Sequence, residues 1–279
     1  MIRKTLPVLI GTLLSSTLAF ADVSLEIKGL DGALEDNVDA YLSAIPEEEY
    51  SASLRFQSRL ESIIKEALNA LGYYQPRIAF SHSEDDTELT VTVEPGEPVV
   101  IYTSDIVLSG EAEDDPDFLA LIAKSKLSKG SILNHGNYDS LKSSIRNLGL
   151  AKGYFDGSYE LSKLEVAPEL NRAYVRLHYN SGIRYHFGAT QVTGSQIEDE
   201  KVQSLKPFED GEPYSITKVG EYNQNLSNTD WFSSVFVEPD LSQLGDGREI
   251  PMKVSLAPQA RNQIETGIGV STDLGVKGT

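Results

Sequence analysis

The chain has 279 residues, 40% of them hydrophobic and 24% charged, a balance that builds folded cores and not a disordered coil. Its 24 Lys and Arg face 42 Asp and Glu, and the net charge of -18 excludes a general nucleic-acid binder and disfavours adsorption to anionic lipid. No cysteine is present, which excludes disulfides, thiolate metal sites and cysteine nucleophiles.

Residues 1–21 read as a secretory signal. Arg3 and Lys4 precede an apolar run over residues 6–20, too short for a spanning helix, which needs roughly 20 residues. Ala19-Phe20-Ala21 is a small-x-small cleavage site, so Asp22 is the expected first mature residue. Removing two bases leaves a mature net charge of -20, and an exported, acidic, cysteine-free chain fits the periplasm of a diderm bacterium.

The first mature segment alternates Val23, Leu25 and Ile27 with polar residues, the period of a half-buried strand, and ends in Gly29. Leu34, Val38, Leu42 and Ile45 fall at helical spacing up to Pro46. Leu60, Ile63, Ile64, Ala67, Leu68 and Leu71 form a second apolar stripe, and Gly72 follows as a left-handed helix cap that buries Leu68 and Leu71. Ile78 and Phe80 mark a strand, the acidic turn Glu84-Asp85-Asp86 follows, and Leu89, Val91 and Val93 mark another. Pro95-Gly96-Glu97-Pro98 is a stiff joint.

The same order then recurs. A strand ends in Gly110, Asp115 caps a helix with Pro116 at its first position, and Tyr138, Leu141, Ile145 and Leu148 give a longer helix. Lys152-Gly153-Tyr154-Phe155 ends it, Val175, Leu177 and Tyr179 alternate in a closing strand, and Asn180-Ser181-Gly182 turns into the next copy. There a strand ends in Gly194, Ser215 caps a helix with Val219, Tyr222 and Leu226, and Thr229-Asp230-Trp231-Phe232 occupies the place of Leu71-Gly72-Tyr73-Tyr74. Residues 252–256 close it. The strand-end glycines are 81 and 84 residues apart and the aromatics after the helices 81 and 77, so two independent landmarks hold one period.

The tail over residues 264–275 alternates Ile264, Thr266, Ile268, Val270 and Thr272 with glycine and small polar residues, as a lipid-facing barrel strand does. The expected fold is α+β: three tandem domains of order β-α-α-β-β, each with two helices on a three-stranded sheet, then the first strand of an otherwise missing outer-membrane β-barrel. The expected boundaries are 1–21 for the signal, 22–97, 98–183 and 184–260 for the domains, and 261–279 for the barrel start.

Enzyme motifs are absent. Glu47-Glu48-Glu49 and Glu84-Asp85-Asp86 lack the spacing and central glycine of a calcium loop. His82, His135, His178 and His186 are scattered, and no nucleophile elbow, phosphate loop or dinucleotide fingerprint occurs. No catalytic, metal or cofactor site is expected; a periplasmic enzyme is the remote alternative, which a deep pocket with convergent polar groups would favour.

Leu71-Gly72-Tyr73-Tyr74-Gln75-Pro76, Lys152-Gly153-Tyr154-Phe155-Asp156, Tyr179-Asn180-Ser181-Gly182 with Arg184-Tyr185 and Phe187-Gly188, Gly194-Ser195-Gln196-Ile197, and Ile264-Glu265-Thr266-Gly267 with Ser271-Thr272-Asp273 together resemble the TamA branch of the outer-membrane assembly superfamily. Its members place polypeptide-transport-associated (POTRA) domains before a barrel. The resemblance implies three periplasmic POTRA domains, a TamB-like inner-membrane-anchored partner, and clients among outer-membrane proteins and autotransporters. It places the chain on the periplasmic face of the outer membrane, truncated before the barrel, so the membrane-inserting activity does not carry over. A general outer-membrane assembly factor typically has five such domains and a two-partner secretion transporter two, so three units favour the TamA branch.

A three-stranded sheet leaves edges with unpaired backbone groups, to which an extended partner can add as a strand. In the first domain the expected partner-binding edge is Arg77, Ile78, Ala79, Phe80 and Ser81, with residues 89–93 as the central strand. Charge is uneven: residues 22–100 carry a net of -12, residues 101–180 only -2, and residues 181–279 -6.

Overall fold

The computed structural model describes residues 23–244 and 247–259 and two strands beyond them; the expected signal at 1–21 lies outside the described residues. The chain divides into two compact units, the first ending at Pro98 and the second beginning at Val99.

The first unit holds β1 (Ser24–Lys28), α1 (Gly32–Leu42), α2 (Leu54–Ala70), β2 (Arg77–His82) and β3 (Glu88–Glu94). The sheet order is β1-β3-β2, with β1 parallel and β2 antiparallel to the central β3. Ser53 starts α2 by accepting the Phe56 N–H on its side-chain oxygen at 3.4 Å, a standard N-cap. From α2, Leu60, Ile64, Ala67 and Leu68 are sealed against Leu89, Val91 and Val93 of β3, while α1 adds Val38 and Leu42. Helix α1 stops at Leu42, before Pro46; a separate turn, with the Ile45 N–H on Leu42 O at 2.9 Å, buries Ile45. Leu71 is half-buried and not sealed as expected, because it follows the last helical residue, where the apolar stripe has run out.

The second unit repeats this plan twice. First come β4 (Val100–Ser109), α3 (Pro116–Lys124), α4 (His135–Lys152), β5 (Ser158–Ala167) and β6 (Arg172–Asn180), in sheet order β4-β6-β5. Then come β7 (His186–Thr193), α5 (Asp199–Gln203), α6 (Ile216–Ser227), β8 (Phe232–Pro239) and β9 (Glu249–Pro258), in order β7-β9-β8. The last strand of each copy is central, parallel to the first and antiparallel to the second. Asp115 caps α3 as expected, accepting the Asp117 N–H at 3.0 Å ahead of Pro116. Ser215 stands at the N-cap of α6 without a side-chain cap bond.

The repeating landmarks have a steric cause. Gly29 and Gly194 take positive φ, 90° and 73°, and a Cβ on either would overlap a carbonyl oxygen of the central strand, Val93 or Leu256. At the helix ends Gly72 and Gly153 have φ of 93° and 89°. The Tyr73 N–H reaches Leu68 O at 3.0 Å and the Tyr154 N–H reaches Gly149 O at 2.9 Å, the six-to-one bond of a Schellman cap. In the third copy Asp230 takes φ 55° three residues beyond α6, and the Trp231 N–H goes to Thr229 Oγ1 at 3.3 Å, so the six-to-one bond is not repeated.

The second unit has a closely bonded seam between its two sheets. The segment after α4 reaches into the third domain: the Tyr185 N–H bonds Gly153 O at 2.9 Å, and the Tyr185 hydroxyl donates to Asp156 at 2.8 Å. Phe155 packs on the rings of Tyr185 and Tyr214, with centroids 5.8 and 4.9 Å away. Arg184 Nε donates to Lys152 O at 3.0 Å, and its backbone N–H donates to Glu111 Oε2 at 2.9 Å. Arg248 also pairs with Glu111. The sealed Ser181 hydroxyl accepts the Ala112 N–H at 3.0 Å, so the turn between the sheets is bonded back to the end of β4.

Where one continuous barrel-like strand was expected over 264–275, the described residues form a short antiparallel hairpin of β10 (Ile268–Ser271) and β11 (Gly275–Gly278). No barrel strand is evident among the described residues, and residues 264–267 and 272–274 lie outside them.

Candidate partner-binding edge

All five residues of the expected edge lie in β2, which pairs with β3 alone. The register sets Arg77 opposite Glu94, Ile78 opposite Val93, Ala79 opposite Thr92, Phe80 opposite Val91 and Ser81 opposite Thr90. The strand's two faces differ. Ile78 and Phe80 are half-buried against the domain core, while Arg77, Ala79 and Ser81 are exposed. Arg77 Nη1 lies 3.8 Å from Glu94 Oε2, both solvated, a pair of small energetic consequence. One side of the β2 backbone ladder therefore has no strand partner within its sheet, the feature that strand addition requires.

The turn that holds this edge is built from local hydrogen bonds. The Ser83 hydroxyl donates to Asp85 Oδ1 at 2.7 Å, and Thr87 Oγ1 donates to the same oxygen at 2.8 Å. These bonds, Ser83 first, hold the Asp85 carboxyl below the ordinary carboxylate range. Asp86 takes φ 55°, a conformation that aspartate tolerates in tight turns, and sits 2.6 Å from His82 Nδ1. The acidic run reads as turn chemistry, with no converging ligands; among the described residues no group of three His, Asp or Glu could hold a metal ion.

Sequence reasoning did not place the corresponding outer strands of the other copies. β5 and β8 are edges by the same topology, and β1, β4 and β7 form the opposite edges. A signal for β5 was available: Ser158 follows Tyr154 at the interval by which Arg77 follows Tyr73. The edges are unequal. β8 ends on Pro239, which has no N–H to donate, whereas β5 runs for ten residues without proline.

Residues 24–95 match the family model described as POTRA domain TamA domain 1. Among solved structures, the chain is similar to Haemophilus influenzae BamA POTRA3-5 at 14% identity, covering 84% of this chain and 95% of that one with a TM-score of 0.47. It is similar to POTRA1-3 of the periplasmic domain of Omp85 from Anabaena at 14% identity, covering 86% and 95% with a TM-score of 0.34. It is also similar to CdiB from Escherichia coli at 14% identity, covering 75% of this chain and 34% of that one with a TM-score of 0.34.

Proposed function

We propose, from the premise that this chain is a POTRA arm of the Omp85/BamA/TamA family, that it is the periplasmic arm of an outer-membrane protein translocation and assembly factor of the TamA branch. Its domains divide near residues 97 and 183. The observation that carries the branch assignment is the match of residues 24–95 to a TamA first domain. The role follows from the edge. A main-chain ladder accepts many client sequences because the backbone supplies the bonds, while the half-buried Ile78 and Phe80 keep the strand seated. In this reading the Arg77–His82 strand receives an extended segment of a TamB-like, inner-membrane-anchored partner or of an outer-membrane or autotransporter client.

Site-specific photo-crosslinking tests it. A photoreactive residue at exposed Ala79 should crosslink, in cells, to the inner-membrane-anchored partner or to a nascent client, and the same probe at Tyr41 on α1 should not. Deleting residues 24–95 should lower autotransporter assembly. Crosslinks that are equal at both positions, or assembly that is indifferent to the deletion, would overturn the reading.

A further inference from the structure

In the second domain α4 and β5 run side by side in opposite directions. Tyr138 Oη lies 3.1 Å from Ser162 Oγ, and one helical turn later Tyr159 Oη donates to Lys142 O at 2.9 Å. Between helix and strand is a groove of about 830 Å³, whose walls include Asp139, Lys142, Ser143, Arg146, Ser158 and Tyr159. Arg146 is exposed and Lys142 half-exposed, and neither has an ion-pair partner among the described residues. The Lys142 ammonium lies 5.8 Å from the centre of the Tyr159 ring. Two unpaired cations thus flank a sheet edge in a chain of net charge -18.

We propose that this groove takes an extended acidic polypeptide segment, added as a strand to β5, whose carboxylates stand two residues apart. The inference rests on the strand-addition reading above and gives it a second strand and a ligand chemistry. The spacing fits. Residues four apart on a helix rise about 6 Å along its axis, so Lys142 and Arg146 are offset by that amount. Alternate residues on one face of a strand are about 6.8 Å apart, so successive same-face carboxylates meet successive cations. Asp139, one turn before Lys142, continues the row with the opposite sign. A segment that adds antiparallel to β5 runs with α4 and meets Asp139 first, so its leading same-face position is neutral or basic and the preferred pattern is basic-x-acidic-x-acidic.

The test uses the whole mature chain and three fluorophore-labelled peptides: Lys-Val-Glu-Val-Glu-Val-Thr, its Gln-for-Glu version, and the charge-swapped Glu-Val-Lys-Val-Lys-Val-Thr. Fluorescence anisotropy gives affinities, and amide chemical shifts locate the site. The acidic peptide should bind about tenfold more tightly than the Gln peptide, the scale of two solvated ion pairs, and shift the amides of Ser158–Ala167. The double variant Lys142→Glu, Arg146→Glu should reverse the order in favour of the lysine peptide. If all three peptides bind β5 equally, strand addition stands and the charge inference falls. If peptides shift only the Arg77–His82 amides, the β5 assignment falls while the first-domain reading stands. If no peptide shifts any edge, both fall together.

Discussion

Two residues with left-handed backbone but different side chains give the sharpest residue-scale test. Gly72 and Asp230 both take positive φ beyond a helix end, at 93° and 55°. Gly72→Val forces a branched side chain there and should cost about 1–2 kcal/mol of first-domain stability, read as a lowered urea midpoint at unchanged slope. Asp230→Gly relieves the mild strain already present and should be neutral or stabilising by a few tenths of a kcal/mol. A matching loss in both variants would show that the left-handed backbone does not set the cost. Glu111 gives a pH test. The Arg248 guanidinium and then the Arg184 backbone N–H hold its carboxyl below the ordinary range. A depressed carboxylate adds stability that is present above the unfolded pKa of about 4.3 and is lost as pH falls through the folded value. Wild type should therefore lose its advantage over Glu111→Gln as pH drops below about 4.3, in urea melts at pH 7 and pH 3. A gap that is constant across pH would show that the pair contributes nothing through its charge.

At the scale of elements, the central strand of each sheet should be the slowest to exchange its amide hydrogens. β3, β6 and β9 are paired on both sides, while β2, β5 and β8 are paired on one. Hydrogen exchange should thus rank Leu89, Val91 and Val93 well above Ile78, Phe80 and His82, whose N–H groups point away from β3, and equal protection would mean the β2 edge is covered. The repeat was legible because its landmarks are sterically forced. Gly29 and Gly194 face carbonyls of the central strand, Gly110 faces the Asn180 and Ser181 side chains, and the helix-end glycines must turn left. Helix α2 was legible because one face of it is the core. The outer strands β5 and β8 were not read. Tyr159, Ser162 and Leu164 of β5 are half-buried, and its bulge near Glu160 breaks the period of two. In β8 the exposed Phe236 blurs the same alternation. The first-domain edge was found because Ile78 and Phe80 alternate cleanly and the acidic turn beyond them marks a hairpin.

At the scale of the molecule, charge and cooperativity divide the chain at the same place. Residues 22–98 hold a net charge of -12, about two-thirds of the whole excess. Such a field repels anionic head groups and speeds encounter with a basic partner surface. In this reading, association of the mature chain with the partner's terminal region slows steeply between about 50 and 500 mM salt, as the screening length shrinks to a few Å. Reversing Glu47, Glu48 and Glu49 to Lys should slow it further at low salt. A rate indifferent to both changes would leave the charge with solubility alone. Cooperativity can be followed with one probe, because the chain has a single tryptophan, Trp231, in the third domain. The seam from Gly153 to Asp156 ties the second domain to the third through Phe155 and Tyr185, so the two should melt as one unit. Phe155→Ala removes a half-exposed ring from that seam and should cost about 1–3 kcal/mol, below the value for a fully buried phenylalanine. Although the substitution lies in the second domain, it should lower the Trp231 fluorescence midpoint and broaden or split the transition. Gly72→Val, in the other compact unit, is the control and should leave that midpoint in place. A Trp231 transition unmoved by Phe155→Ala would mean that the second and third domains unfold independently despite the bonds between them.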